Sequence, residues 1–254
     1  YADAYSNMGN ALKEQGKLEE AIEAYNKALV IKPDNAKAYN NMGVTLQEQG
    51  KLEEAIEACN KAIAIKPDYA EAYNNMGIAL AVQGKLEEAI EACNKALALK
   101  PDYADAYSNM GNTLARQGKP EEAIAAYNKA LAIKPECAEL SHNMSFTLLN
   151  SGRLKEGLEK YECRWKTIQN LDKRRQFSKP MWDGKEILQG KIVFLWCEQG
   201  VGDTINWSSR LPLIASLASH CILECPEKLV PLMTRSFPYI EVKPEDRGND
   251  QQRN

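Results

Sequence analysis

Asparagine recurs at positions 7, 41, 75, 109 and 143, once every 34 residues. A carboxamide is both donor and acceptor. A ladder of Asn7, Asn41, Asn75, Asn109 and Asn143 could therefore bond an extended peptide backbone without regard to its sequence. Asn40, Asn74, Asn10 and Asn112 lie beside it, with Lys13, Lys37 and Arg116 as charged neighbours. The competing reading is that Asn at this position serves hairpin packing or solubility. A second locus is the stretch EQGVGD, Glu198 to Asp203, between a strand-like run and a helix-like one. Gly200, Gly202, Asp203 and Thr204 could cradle a phosphate or sugar on backbone amides at a helix N-terminus, or could simply form a tight turn. The dinucleotide fingerprint G-x-G-x-x-G is incomplete, because Ile205 stands where the third glycine belongs, although Glu224 could mimic the ribose-binding acid.

Other chemistries are poorly supplied. Cys59, Cys93, Cys137, Cys163, Cys197, Cys221 and Cys225 form no C-x-x-C pair, and His142 and His220 are the only histidines. No metal site and no cofactor is expected. Cys59 and Cys93 occupy the slot that holds Tyr25 and Tyr127 in sister repeats, so they read as core residues. An odd cysteine count without a disulfide framework favours a reducing compartment, the cytoplasm. The net charge of -3 gives no basic field for nucleic acid. No run approaches the ~20 apolar residues of a membrane span. The basic stretch Lys173 to Lys179 reads as a solvated linker, with a nuclear signal or nucleic-acid patch as the alternative.

The elements that would position the asparagines come from self-similarity. GKLEEAIEA begins at Gly16, Gly50 and Gly84, and GKPEEAIAA at Gly118; Asn-Met-Gly ends at Gly9, Gly43, Gly77 and Gly111. Each copy reads as two amphipathic helices. In the second copy Tyr39, Met42 and Leu46 form the buried stripe of the first helix, and Ala55, Cys59 and Ala62 that of the second. Gly50 ends the first helix in left-handed geometry. Glu53 and Glu54 favour the N-terminus of the second. Lys66 and Pro67 close it, and Asp68 with Glu71 predicts a capping box for the next copy. Gly43, Ala55 and Ala62 allow close helix approach. One hairpin cannot bury its own apolar face, so the copies must stack. A fifth, degenerate copy starts near Ala138, with Ser145 in the glycine slot, Gly157 for an alanine and Arg164 in the last small-residue slot.

Tyr39, Met42, Gly43, Leu46, Ala55, Cys59, Ala62 and Pro67, with their counterparts 34 residues away, resemble the tetratricopeptide repeat family over about residues 2–169. The resemblance implies a mainly α fold: a right-handed solenoid of helical hairpins whose first helices line an inner groove, which places the asparagine ladder there. The ladder is similar to that in the superhelix of O-linked N-acetylglucosamine transferase. A carboxylate clamp would need several converging Lys and Arg, whereas this groove is mostly Asn and small residues. The expected domains are a solenoid over 1–169, a linker over 170–190 and a partial Rossmann-like α/β segment over 191–254.

In that segment Ile192 to Cys197 reads as a buried parallel strand. A helix is expected over about 203–219, a strand over Cys221 to Cys225, a helix over 227–235 and a short strand over 239–242, a start of doubly wound type. PMWDGKEILQGKIVFLWCEQGVGDTINWSSRLP resembles the module that follows such repeats in bacterial glycosyltransferase-related proteins of heptosyltransferase type, through Gly202, Asp203, Arg210 and Pro212. The resemblance implies Asp203 as general base on an acceptor hydroxyl; a plain helix N-cap is the other reading. Only about 65 residues follow Lys191, too few for a second Rossmann-like half, so no transferase turnover is expected of this chain alone. Three functions remain: a scaffold binding a protein or extended peptide, serving as recruiting arm of a glycosyltransferase-like protein; an enzyme fragment; and a self-assembling scaffold, with homo-oligomer formation through the exposed apolar edge of the last hairpin or the incomplete sheet.

Overall fold

The computed structural model describes residues 1–166, 182, 185–197 and 201–245, without the side chain of Asp203. The chain divides into two compact units, Tyr1–Arg175 and Gln176–Asn254.

The first unit is a run of helical hairpins. Its helices are α1 (Ala2–Glu14), α2 (Leu18–Ile31), α3 (Ala36–Glu48), α4 (Leu52–Ile65), α5 (Ala70–Val82), α6 (Leu86–Leu99), α7 (Ala104–Arg116), α8 (Pro120–Ile133), α9 (Ala138–Asn150) and α10 (Leu154–Tyr161), followed by a 3-10 turn over Glu162–Lys166. The turn inside each hairpin is built the same way. Gly16, Gly50, Gly84, Gly118 and Gly152 have φ of 75° to 86°, which a side chain would resist. The next residue's N–H then donates back to a leucine carbonyl of the first helix, as from Lys51 to Leu46 at 2.9 Å, which closes a Schellman motif. Pro120 replaces the leucine that opens the other second helices, at a first-turn position that needs no N–H.

The predicted small-residue stripe is the core. Ala55, Cys59 and Ala62 are buried, as are Ala21, Ala89, Ala96, Ala123 and Ala130. Leu46 is buried, whereas Tyr39 and Met42 are half-buried, and Ala38, Asn40 and Thr45 share the buried face instead. The capping box at Asp68 is absent. Tyr69 takes the N-cap position of α5 and makes no side-chain cap bond; the Lys66 ammonium lies 4.9 Å from its ring centroid. Asn35 does cap α3, accepting from the Ala38 N–H at 3.1 Å.

The fifth hairpin departs through its side chains. Leu149 occupies the place of Ala115, and a Cβ on Gly157 would lie 2.7 Å from it, so the glycine makes room for the leucine. Ser145 fits the glycine slot because its hydroxyl turns back to the His142 carbonyl at 2.6 Å. Arg164 is not a packed small-residue position: its guanidinium lies over Tyr161 and Trp165, at 4.4 and 4.6 Å.

The second unit contains a parallel sheet in the order β1 (Ile192–Trp196), β2 (His220–Cys225), β3 (Glu241–Pro244). The single helix expected over 203–219 is two: α11 (Val201–Ser208) and α12 (Leu211–Leu217). Pro212 explains the break, because it is tolerated only in a first turn. A 3-10 turn over Glu227–Leu229 leads into α13 (Val230–Ser236), later than expected, and β3 also starts later. Alternation along the strands sends Cys221, Leu223 and Cys225 into a core with Leu211, Leu229 and Met233. Ile192 and Phe194 alternate with the inward Val193 and stay exposed, at 68% and 39%. No described helix is long and apolar enough to cross a membrane.

Candidate peptide-binding groove

Successive first helices touch along the array, α1 with α3, α3 with α5, α5 with α7 and α7 with α9, more than any two successive second helices do. The stack therefore curves with its first helices on the inside. Positions 7, 10 and 14 of α1, and those 34, 68, 102 and 136 residues later, share one face of these helices.

The asparagines on this face are tied across the repeats. The Asn75 side-chain N–H donates to the Asn40 carbonyl oxygen at 2.9 Å, and Asn109 donates to Asn74 at 2.9 Å. The acceptors are buried, Asn40 at 6% and Asn74 at 3% exposure, which a carboxamide accepts only with a partner. Asn41 has Ser6, not Asn, 35 residues before it and reaches Asn10 instead, at 2.9 Å. Asn143 faces Ser108 in the same relation and makes no inter-repeat bond among the described residues, nor does exposed Asn7. The Asn40 amide reaches Asn41 only at 3.5 Å.

A pairing within each hairpin went unseen in the sequence. The Tyr25 hydroxyl donates to Asn10 at 2.7 Å and Tyr127 to Asn112 at 2.6 Å. Where the tyrosine slot holds Cys59 or Cys93, the asparagine position holds Val44 or Ile78. Reading the two columns together down the repeats reveals the exchange. The fifth hairpin has a third solution: Phe146 stands in the asparagine column and packs edge-on against Tyr161, with ring centroids 5.9 Å apart, while His142 stacks on Tyr161 at 5.6 Å. Burial pushes the Tyr25 and Tyr127 hydroxyls up in pKa, with the nearby Thr45 and Thr147 side chains opposing. It pushes the Cys59 and Cys93 thiols up to about 12, so both are inert neutral core groups. Burial, with Arg164 next in effect, lowers the pKa of His142.

Two recesses open at the same place in the repeat, three repeats apart. The first, of about 260 Å³, is lined by Asn10, Lys13, Glu14, Tyr25, Asn41 and Val44. The second, of about 580 Å³, is lined in part by Asn112, Arg116, Tyr127, Asn143, Phe146 and Asn150.

The glycine-rich stretch of the second unit is less developed. Gly200 and the Asp203 side chain lie outside the described residues, as do Lys173 to Lys179. Gly202 sits in the first turn of α11, not in a loop, and a Cβ there would meet nothing within 4 Å. Thr204 is buried. Burial raises the pKa of the Cys197 thiol, with the Thr204 side chain opposing. No group of three or more potential metal ligands occurs among the described residues.

The family model described as "TPR repeat" matches residues 9–50, and models described as "Tetratricopeptide repeat" match 36–69 and 68–136. Among curated proteins, Protein FlbA of Caulobacter vibrioides is 32% identical over 87 residues, 33% of this chain and 14% of FlbA; the chain thus spans a small part of that relative. A crystal structure of MamA is 28% identical with a TM-score of 0.55, over 65% of this chain and 97% of MamA. The structure of Pseudomonas aeruginosa pilF is 26% identical with a TM-score of 0.59, over 64% of this chain and 74% of pilF.

Proposed function

We propose, from the premise that residues 9–136 form a tetratricopeptide-repeat array, that the chain is a scaffold whose inner groove holds an extended segment of another protein. The observation that carries this reading is the state of Asn75 and Asn109. One N–H of each is taken by the preceding repeat, which fixes the side chain's orientation. Each keeps a carbonyl oxygen and a second N–H, and each is half-buried on the inner face. An oriented donor and acceptor at a fixed repeat can bond a peptide backbone at low entropic cost.

The test separates binding from scaffolding. Asn75→Ala with Asn109→Ala is measured on an array of extended 12-residue peptides and by thermal unfolding. Binding that falls about tenfold or more, one decade being about 1.4 kcal/mol, supports the groove. Unchanged binding with a lowered Tm would make these asparagines scaffold residues and end the proposal.

The finer reading, a recruiting arm for a glycosyltransferase-like module, draws on the parallel β-α-β unit around Gly202 and Arg210. Calorimetry with nucleotide sugars tests it, and no heat above dilution would remove it. Self-association through the sheet draws on exposed Ile192 and Phe194. Light scattering that gives a monomer mass at every concentration would exclude it.

A further inference from the structure

One column of the inner face changes sign along the array. Glu14, Glu48, Val82, Arg116 and Asn150 occupy the same position in the five hairpins. Glu14 lines the first recess and has no ion pair among the described residues. Lys13, in the same lining, is matched by Glu48 at 3.4 Å, so Glu14 leaves that end net negative. Three repeats on, Arg116 lines the equivalent recess, whose lining contains no carboxylate. One guanidinium nitrogen of Arg116 donates to the Ala81 carbonyl at 2.6 Å, and the charge has no ion-pair partner among the described residues.

The carboxamides are alike at the two ends, so the charged side chains make the difference. The Asn10 carbonyl oxygen accepts from both Tyr25 and Asn41, and the Asn112 carbonyl oxygen accepts from Tyr127. Between the ends aliphatic side chains stand beside Asn75 and Asn109 on the inner face: Val44 and Ile78 are half-buried and Val82 is 54% exposed. The fields agree with this polarity. Glu48 and Glu14 contribute to the raised pKa of Tyr25, while no acidic side chain contributes to that of Tyr127.

We infer that the groove selects an extended peptide of divided charge, cationic against the first recess, aliphatic across Val44, Ile78 and Val82, and anionic against Arg116. This rests on the groove being a peptide site, and deepens it by naming the partner's chemistry. Complementary charge at both ends, with an apolar contact between, fixes register and excludes partners of uniform charge.

Three synthetic 12-residue peptides of one aliphatic centre test it by fluorescence polarisation: one with three Lys at one end and three Glu at the other, one with the same residues interleaved, and one with Lys at both ends. The divided peptide is expected to bind about 5- to 10-fold tighter than the interleaved one at low salt, narrowing above about 0.5 M as screening shortens. Arg116→Glu makes both ends negative and should transfer the preference to the all-Lys peptide. Adding Glu14→Arg restores opposite ends and should restore the preference for divided charge, because the peptide can lie in either direction. Peptides that bind equally whatever their charge order would overturn the inference and leave the groove standing. If none binds, both fall.

Discussion

Hairpins one and four bury a tyrosine under the helix glycine, and hairpins two and three bury a cysteine there. In the first kind Tyr25 and Tyr127 carry a hydroxyl into the core, and Asn10 and Asn112 accept from it. In the second kind there is no hydroxyl to satisfy, and Val44 and Ile78 stand in place of the asparagine. The slot is tight in both kinds. A Cβ on Gly9 would lie 2.6 Å from the Tyr25 ring and one on Gly111 2.9 Å from Tyr127, while one on Gly43 would lie 2.9 Å from the Cys59 sulfur and one on Gly77 3.2 Å from that of Cys93. The same backbone thus accepts two side-chain pairs, and the pair, not the residue, is the unit that fits. The exchange also sets one column of the groove, which carries Asn10 and Asn112 at its ends and Val44 and Ile78 between them.

The largest effect should come from mixing the two kinds. Cys93→Tyr alone puts a ring against Gly77 and a hydroxyl opposite Ile78, and should destabilise by about 2–4 kcal/mol through overpacking and an unpaired polar group. Adding Ile78→Asn should recover at least ~1 kcal/mol, read from urea unfolding followed by circular dichroism. If the two substitutions are simply additive, the columns are not coupled.

A pH series distinguishes the two kinds without changing volume in the native protein. Burial raises the Cys59 and Cys93 thiols from 9.0 to about 12. Above pH 9 the unfolded chain loses these protons while the folded chain keeps them, so the contribution is complete below pH 9 and declines towards pH 12. The slope is on the order of 1.4 kcal/mol per pH unit per thiol. The native chain should therefore lose stability between pH 9 and 11 more steeply than a Cys59→Ala, Cys93→Ala variant. Parallel curves would mean that the thiols are not held neutral by the fold.

The array was legible because its rules repeat: 34-residue spacing, glycines at the turns and alanines at the contacts each recur often enough to overrule local ambiguity. The buried polar groups were not. Asn40 and Thr45 look like surface residues until the neighbouring repeat supplies Asn75 for one, and the Asn41 carbonyl at 2.9 Å receives the hydroxyl of the other. The Asp68 cap failed because the helix starts one residue later than the box requires, with Tyr69, under the Lys66 ammonium, at the N-cap position. The α/β unit has no repetition to average over, so Pro212 split a helix that hydropathy alone made continuous. The asparagine ladder was visible as a pattern, but whether each amide is tied or available depends on Ser or Asn 35 residues earlier, a contact between repeats.

Removing one hydroxyl is a milder probe of the tyrosine kind. Tyr127→Phe keeps the ring against Gly111 and deletes the bond to Asn112, so it should cost about 0.5–1.5 kcal/mol. Tyr25→Phe should cost less, because the Asn10 carbonyl still accepts from Asn41. Equal losses in thermal unfolding would show that this second donor does not compensate.

The smallest effect compares two hairpins of the same kind. Lys134 pairs with Asp105 at 2.7 Å and Lys100 with Glu71 at 3.4 Å, each 29 residues apart. The same relation joins Lys66 to Lys37, two like charges. Hairpins two and three share the cysteine slot, so this exposed contact can be altered without touching it. Lys37→Glu should let Lys66 bridge as Lys100 does, raising stability by roughly 0.2–1 kcal/mol at low salt, as for exposed pairs, and by less as ionic strength rises. Lys66 lies over the Tyr69 ring as Lys100 lies over Tyr103 while it pairs with Glu71, so the ring contact is compatible with the bridge. A change as large as that of the tyrosine–cysteine exchange would mean that exposed charge, rather than the pair beneath the glycine, governs how these hairpins differ.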